Sequence, residues 1–351
     1  MARGNDDCPV VEVKRRGLPI VRFGAIIACG CLIATLSVTG CRGKPEPGLP
    51  SAGAPASSAT ELDSLKTRGQ EQFEAGEYND AFVAFKQAYD MAPDDYGVLL
   101  GLAQTNAKLR NEVEALDWVN LALAQRPEAV EPMELKGRLF LRLGRMRDAT
   151  AMLERTTQKH PEYTLGWLNL AAAYSIQKNW PKAVEAAKKA IESAPDDGTP
   201  HFALGDIYIE QNERKLAEEQ YRAALRIDSQ HALAYMRLAQ LYIGKNDVTK
   251  AELEQARNWA TTSDNLEPGD GNAASAAAWA LFKMGEKLEA AKEMNKVALD
   301  HPQNYRIWYR LGKILDDMGE KESAARAFET AAKFAPRIRT TTQPGNTVEE
   351  E

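Results

Sequence analysis

Beyond residue 41 the 351-residue sequence contains no cysteine. The four it has are Cys8, Cys29, Cys31 and Cys41, so disulfides and cysteine-based metal sites are excluded from 42 to 351. Histidine is scarce, with only four, and there is neither a phosphate-binding glycine loop nor a pair of metal ligands at helical spacing. No enzyme, metal or cofactor is therefore implied. Basic excess is missing too: beyond residue 40 there are 39 Lys and Arg against 47 Asp and Glu, the cations interleaved with Glu. A nucleic-acid partner needs a basic footprint that releases counterions, so none is expected. β-Branched residues are sparse, Ala, Leu, Glu, Lys and Arg dominate, and prolines fall at spaced positions between helical stretches, which predicts an all-α chain.

Residues 1–40 stand apart. A basic stretch (Lys14, Arg15, Arg16, Arg22) precedes an almost wholly apolar run from 23 to 38 and then small residues, the layout of a secretory leader. The run is shorter than the ~20 residues that a spanning helix prefers, which favours cleavage over an uncleaved anchor. Val38-Thr39-Gly40-Cys41 resembles the lipobox of bacterial lipoproteins, in which the cysteine receives a diacylglyceryl group. The resemblance implies a membrane anchor through Cys41, since two or more acyl chains hold stably where one does not. Both readings of the leader, cleaved or anchoring, place the rest of the chain outside the cytoplasm. Arg42 follows the cysteine where an Asp would imply inner-membrane retention, so the outer membrane is the expected address. Residues 41–61, with Pro45, Pro47, Pro50 and Pro55, read as a tether.

From 62 to 338, about four fifths of the chain, the sequence repeats itself every 34 residues. The pattern is clearest in Trp167, Leu170, Ala171 and Tyr174, followed by Ala183, Ala187, Ala190 and Pro195. Stepping back by 34 meets Pro161, Pro127 and Pro93. Position 20 gives Ala81, Ala115, Ala149, Ala183 and Ala217, and position 8 gives Gly69, Ala103, Gly137, Ala171 and Gly205. These residues resemble the tetratricopeptide repeat. The resemblance implies a right-handed superhelical solenoid of about eight helix-turn-helix units, starting at 62, 96, 130, 164, 198, 232, 271 and 305. Positions 4, 7, 8 and 11 share one helical face and 20, 24 and 27 line up on the partner helix, while Pro at 32 ends the unit. The histidines and the pairs Asp94–Asp95 and Asp196–Asp197 find structural places in this scheme, at turns, helix starts and, for His201, an aromatic slot.

The sixth unit breaks the period. Its terminal Pro268 comes five residues late, and Thr249-Lys250-Ala251-Glu252 reads as a capping box. With Leu253, Ala256, Ala260 and Ser263 on one face, the expectation is a second helix of roughly 17 residues that absorbs the insertion, with Ala251 at position 20. Residues 339–351, ending in three glutamates, read as a disordered acidic tail.

The family implies a scaffold whose first helices line a groove for a protein or peptide partner. Positions 2, 5, 9 and 12 fall opposite the intra-pair contacts and should line it. They hold Leu100, Leu168, Phe202, Ile209, Met236, Trp279 and Phe282, and the eighth unit adds Arg306, Tyr309, Arg310 and Lys313. The expected occupant is an apolar segment carrying acidic residues. The family's carboxylate clamp of Lys and Asn is not matched. Lipoproteins of this build resemble those of pilus and outer-membrane assembly, so an adaptor of an envelope machine is the first expectation. An accessory role in exopolysaccharide synthesis or export is the second.

Overall fold

The computed structural model describes residues 56–269 and 271–335. The leader, Cys41, most of the tether, Pro336 and the tail lie outside the described residues. Among the described residues all regular structure is helical, in eight antiparallel pairs. In chain order they are α1 (Ala56–Glu74) with α2 (Tyr78–Met91), α3 (Tyr96–Lys108) with α4 (Glu112–Gln125), and α5 (Val130–Arg142) with α6 (Met146–Lys159). Then come α7 (Thr164–Ile176) with α8 (Trp180–Ser193), α9 (Thr199–Glu210) with α10 (Arg214–Ile227), and α11 (Ala232–Ile243) with α12 (Lys250–Leu266). The last are α13 (Asn272–Lys283) with α14 (Lys287–Asp300) and α15 (Tyr305–Asp317) with α16 (Lys321–Phe334). Helix α1 starts at Ala56, within the stretch expected to be tether.

Most pairs close by a trade of volume between two positions, the seventh, with Ala278 against Met294, being the exception. Where position 8 is glycine, position 24 is large. A Cβ on Gly137 would lie 2.6 Å from Leu153, on Gly205 2.5 Å from Tyr221, and on Gly312 2.6 Å from Phe328. Where position 8 is alanine, as at Ala103 and Ala171, position 24 shrinks to Val119 and Ala187, all four fully or almost fully buried. Position 20 alanines Ala81, Ala115, Ala149, Ala183 and Ala217 have no exposed surface, so any larger side chain there would force the helices apart. In seven of the eight units, all but the sixth, position 15 after the first helix is left-handed: Gly76, Gly144, Gly285 and Gly319 occupy it, and so do Arg110, Lys178 and Asn212. Arg110 and Lys178 carry the steric penalty that glycine escapes, and Asn212 tolerates the conformation better than they do.

Pairs stack into a superhelical solenoid in which the core runs as a chain of neighbouring clusters, as expected when one pair cannot bury its own apolar face. Successive first helices touch from α1 to α9 and from α11 to α15, whereas the second helices make no comparable contact with one another. The first helices therefore form the inner layer.

The sixth pair corrects the sequence reading. Helix α12 has the expected 17 residues and a complete capping box, with Thr249 and Glu252 each bonding the other's backbone N–H. Leu253, Ala256, Ala260 and Ser263 are all buried. The insertion is nevertheless shared, because the turn before α12 spans 244–249 where the fifth pair needs only 211–213. Ala251 is exposed and Ala256 takes the position 20 contact, one and a half turns later, because the intra-pair contact requires an alanine level with Ala239.

Candidate protein-binding groove

The inner face of the first helices carries an apolar strip. Leu100, Leu168, Phe202 and Met236 are half-buried at position 5, and Ile209 is 40% exposed at position 12. Position 2 adds Leu165 and Leu233, 51% and 55% exposed, which the sequence reading passed over although they occupy a groove slot. Phe202 leans on Tyr221 and His231, with ring centroids 5.7 and 4.9 Å away, and Met236 packs on the core beneath α12. Each presents one side to the core and the other to the groove.

The fifth and sixth pairs are the one adjacent couple whose first helices, α9 and α11, do not pack closely. A charged network bridges them. Tyr221 Oη donates to Asp206 Oδ1 at 2.7 Å, and Arg237 donates from Nε to Oδ1 at 2.9 Å and from Nη2 to Oδ2 at 3.3 Å. Burial, then the bond to Asp206, pushes the Tyr221 hydroxyl well above the ordinary tyrosine range, so it stays a donor. Beside the network lies a cavity of about 420 Å³ lined by Asp206, Ile209, Arg214 and Gln240 among others.

At the C-terminal end Trp279 and Phe282 stack at 4.8 Å between centroids. Both are half-buried and pack on the last core cluster, so they are ledges of the core and not free side chains. Arg310 lies with its guanidinium carbon 5.9 Å from the Trp279 ring centroid and donates from Nη1 to Ser275 Oγ at 2.8 Å. Burial, then the nearby Arg306 charge, pushes Arg310 below the usual arginine range. Arg306 donates to Tyr305 Oη at 3.2 Å, and Lys313 sits over the 41% exposed Tyr309 ring at 5.5 Å. Among the described residues no carboxylate lies within ion-pair distance of Arg306, Arg310 or Lys313, although other inner-layer cations have one. Lys66 meets Asp95 at 2.9 Å, Arg138 meets Glu134 at 3.2 Å, and Arg142 meets Glu112.

The histidines are structural. His160 and His301 end α6 and α14, His231 caps α11, and His201 bonds Gln220 at 2.8 Å. Asp95 caps α3 and Asp197 accepts from the Thr199 N–H. Among the described residues no group of acidic or histidine side chains could hold a metal, and no helix is long and apolar enough to cross a membrane.

Tetratricopeptide repeat models match residues 72–139, 135–198, 202–265 and 275–337. A CTR9 homolog of Arabidopsis thaliana is 25% identical over 77% of this chain and 25% of its own length. The chain spans a quarter or less of the first three curated relatives it matches. The type IV pilus assembly protein PilF of Pseudomonas aeruginosa is 25% identical over 46% of this chain and 78% of that protein. Among solved structures, the APC/C hetero-tetramer Cut9–Hcn1 superposes with a TM-score of 0.54 at 14% identity, covering 80% of this chain and 53% of that one. With the glycine-for-bulk trade, the inner layer of first helices and models covering more than half its length, the chain belongs to the tetratricopeptide repeat family.

Proposed function

We propose that this chain is a membrane-tethered scaffold, lipidated at Cys41, whose solenoid holds a protein partner for an assembly or secretion machine of the cell envelope. The observation that carries the reading is the apolar strip of the groove. Leu165, Leu233 and Ile209 keep 40% or more of their surface in water while pointing from the inner layer, and no contact of the repeat requires them to be apolar. Full burial of such a side chain is worth about 1.5 to 3 kcal/mol, and roughly half of that remains to be gained here, so a segment crossing three units gains affinity without a deep pocket. The likeness to PilF, which runs over most of that protein, supports an envelope role. Outer-membrane residence rests on Arg42 after the lipidated cysteine.

Fractionation with capture tests both halves. Wild-type protein should enter the detergent phase and retrieve a discrete envelope protein, and Leu233→Glu should lose that protein while staying folded. Cys41→Ser should leave an unprocessed precursor or release the chain from membranes. Normal processing and partitioning of the Cys41→Ser variant would remove the anchor from the proposal, and undiminished capture by Leu233→Glu would remove the groove.

A further inference from the structure

The molecule contains an occupied version of the Arg310 site. Arg237 and Arg310 both stand at position 6 of a first helix and lean on the preceding unit's inner face. Arg237 lies 6.0 Å from the Phe202 ring at position 5 and grips Asp206 at position 9 with two hydrogen bonds. Arg310 bonds Ser275 at position 5 and leans on Trp279 at position 9. Aromatic and polar slots are exchanged, and the carboxylate is missing. A desolvated guanidinium favours a planar, bidentate acid over water, and Arg306 beside it strengthens the local field.

An acid is available within this chain. Residues 336–351 follow α16 and include Val348, Glu349, Glu350 and Glu351. Helix α16 runs antiparallel to α15, with Tyr309 against Phe328 at 5.6 Å, so its last residues lie level with the start of α15, where Arg306 and Arg310 stand. Sixteen residues can span up to about 53 Å, several times the ~10 to 12 Å width of one helix. A tethered segment of this length is held at an effective concentration on the order of millimolar, so a weak contact is largely occupied. We propose that the segment 348–351 docks on this patch, one glutamate on Arg310 and the others toward Arg306 and Lys313, and so competes with any partner for the C-terminal end of the groove.

The test uses full-length protein carrying Glu349→Gln, Glu350→Gln and Glu351→Gln, and a labelled synthetic peptide of residues 343–351. The peptide should bind this variant at least tenfold more tightly than wild type, whose own segment blocks the patch. Adding Arg310→Gln should weaken binding at least tenfold while the protein still unfolds in one cooperative transition, and Trp279→Phe should weaken it less. Raising the salt from 50 to 500 mM should weaken binding in step. Equal binding to wild type and the triple variant, indifference to Arg310→Gln, or equal affinity for a peptide with the 343–351 residues scrambled would each overturn the proposal. Envelope-protein capture through Leu233 is read separately, so either result can fail without the other.

Discussion

Arg237 and Arg310 occupy the same position in two units of one solenoid, yet one is neutralised from within and the other is not. At Arg237 the aspartate is shared with Tyr221, and the three groups hold α9 and α11 together where close helix packing is missing. At Arg310 helices α13 and α15 are in contact, and the guanidinium bonds the Ser275 hydroxyl in place of a carboxylate. The difference separates two uses of one slot: an ion-paired bridge where the first helices do not pack closely, and a half-buried charge without an internal carboxylate where they touch.

Substitutions can break this contrast. The largest effect is expected from Asp206→Ala, which strips the shared acceptor from Tyr221 and Arg237 and should lower stability by about 1.5 to 3 kcal/mol in chemical denaturation. Tyr221→Phe removes one bond only and should cost about 1 kcal/mol. Arg310→Gln keeps an amide donor beside the buried Ser275 hydroxyl and should cost about 0.5 to 1.5 kcal/mol, the worth of one neutral hydrogen bond and less than Asp206→Ala. If it instead costs as much as Asp206→Ala, the contrast collapses. Lys178→Gly relieves a left-handed residue and should raise stability by about 0.5 to 1 kcal/mol, readable as a higher Tm.

A smaller, pH-dependent effect is expected at Glu134, where burial pushes the carboxyl up, only partly opposed by Arg138 and the Asn169 bond. A raised folded-state value means that its favourable contribution is complete below the ordinary carboxylate range and is lost as the pH climbs through the folded value. Wild type should therefore lose stability relative to Glu134→Gln between acidic and neutral pH, in paired denaturation curves. A gap that does not widen with pH would contradict that assignment.

Much of this was legible before any coordinates. The glycines and alanines at positions 8 and 20 announce where helices touch, because contact distance is set by one or two atoms of side chain, and Thr249 with Glu252 announces α12 through purely local chemistry. The sixth pair shows the limit. Counting by 34 puts Ala251 in the contact, but the lengthened turn moves the helix along its axis and Ala256 takes the place. Such a shift depends on how an insertion divides between turn and helix, which no local signal fixes. Trp279 and Phe282 were readable as groove residues, but their hold on the core is a tertiary fact. The missing acid at Arg310 is written in the sequence, as Trp279 where the fifth unit has Asp206, yet only the distances between α9 and α11 reveal that positions 6 and 9 of adjacent units meet.

The central claim is that the inner layer holds a partner, and site-specific photo-crosslinking in intact envelopes tests it most directly. A crosslinker in place of Leu233, on the inner face of α11, should yield one discrete adduct, and a crosslinker in place of Leu288, 77% exposed on the second helix α14, should not. Adducts from Leu288 with none from Leu233 would contradict the account and move the binding surface to the outer layer.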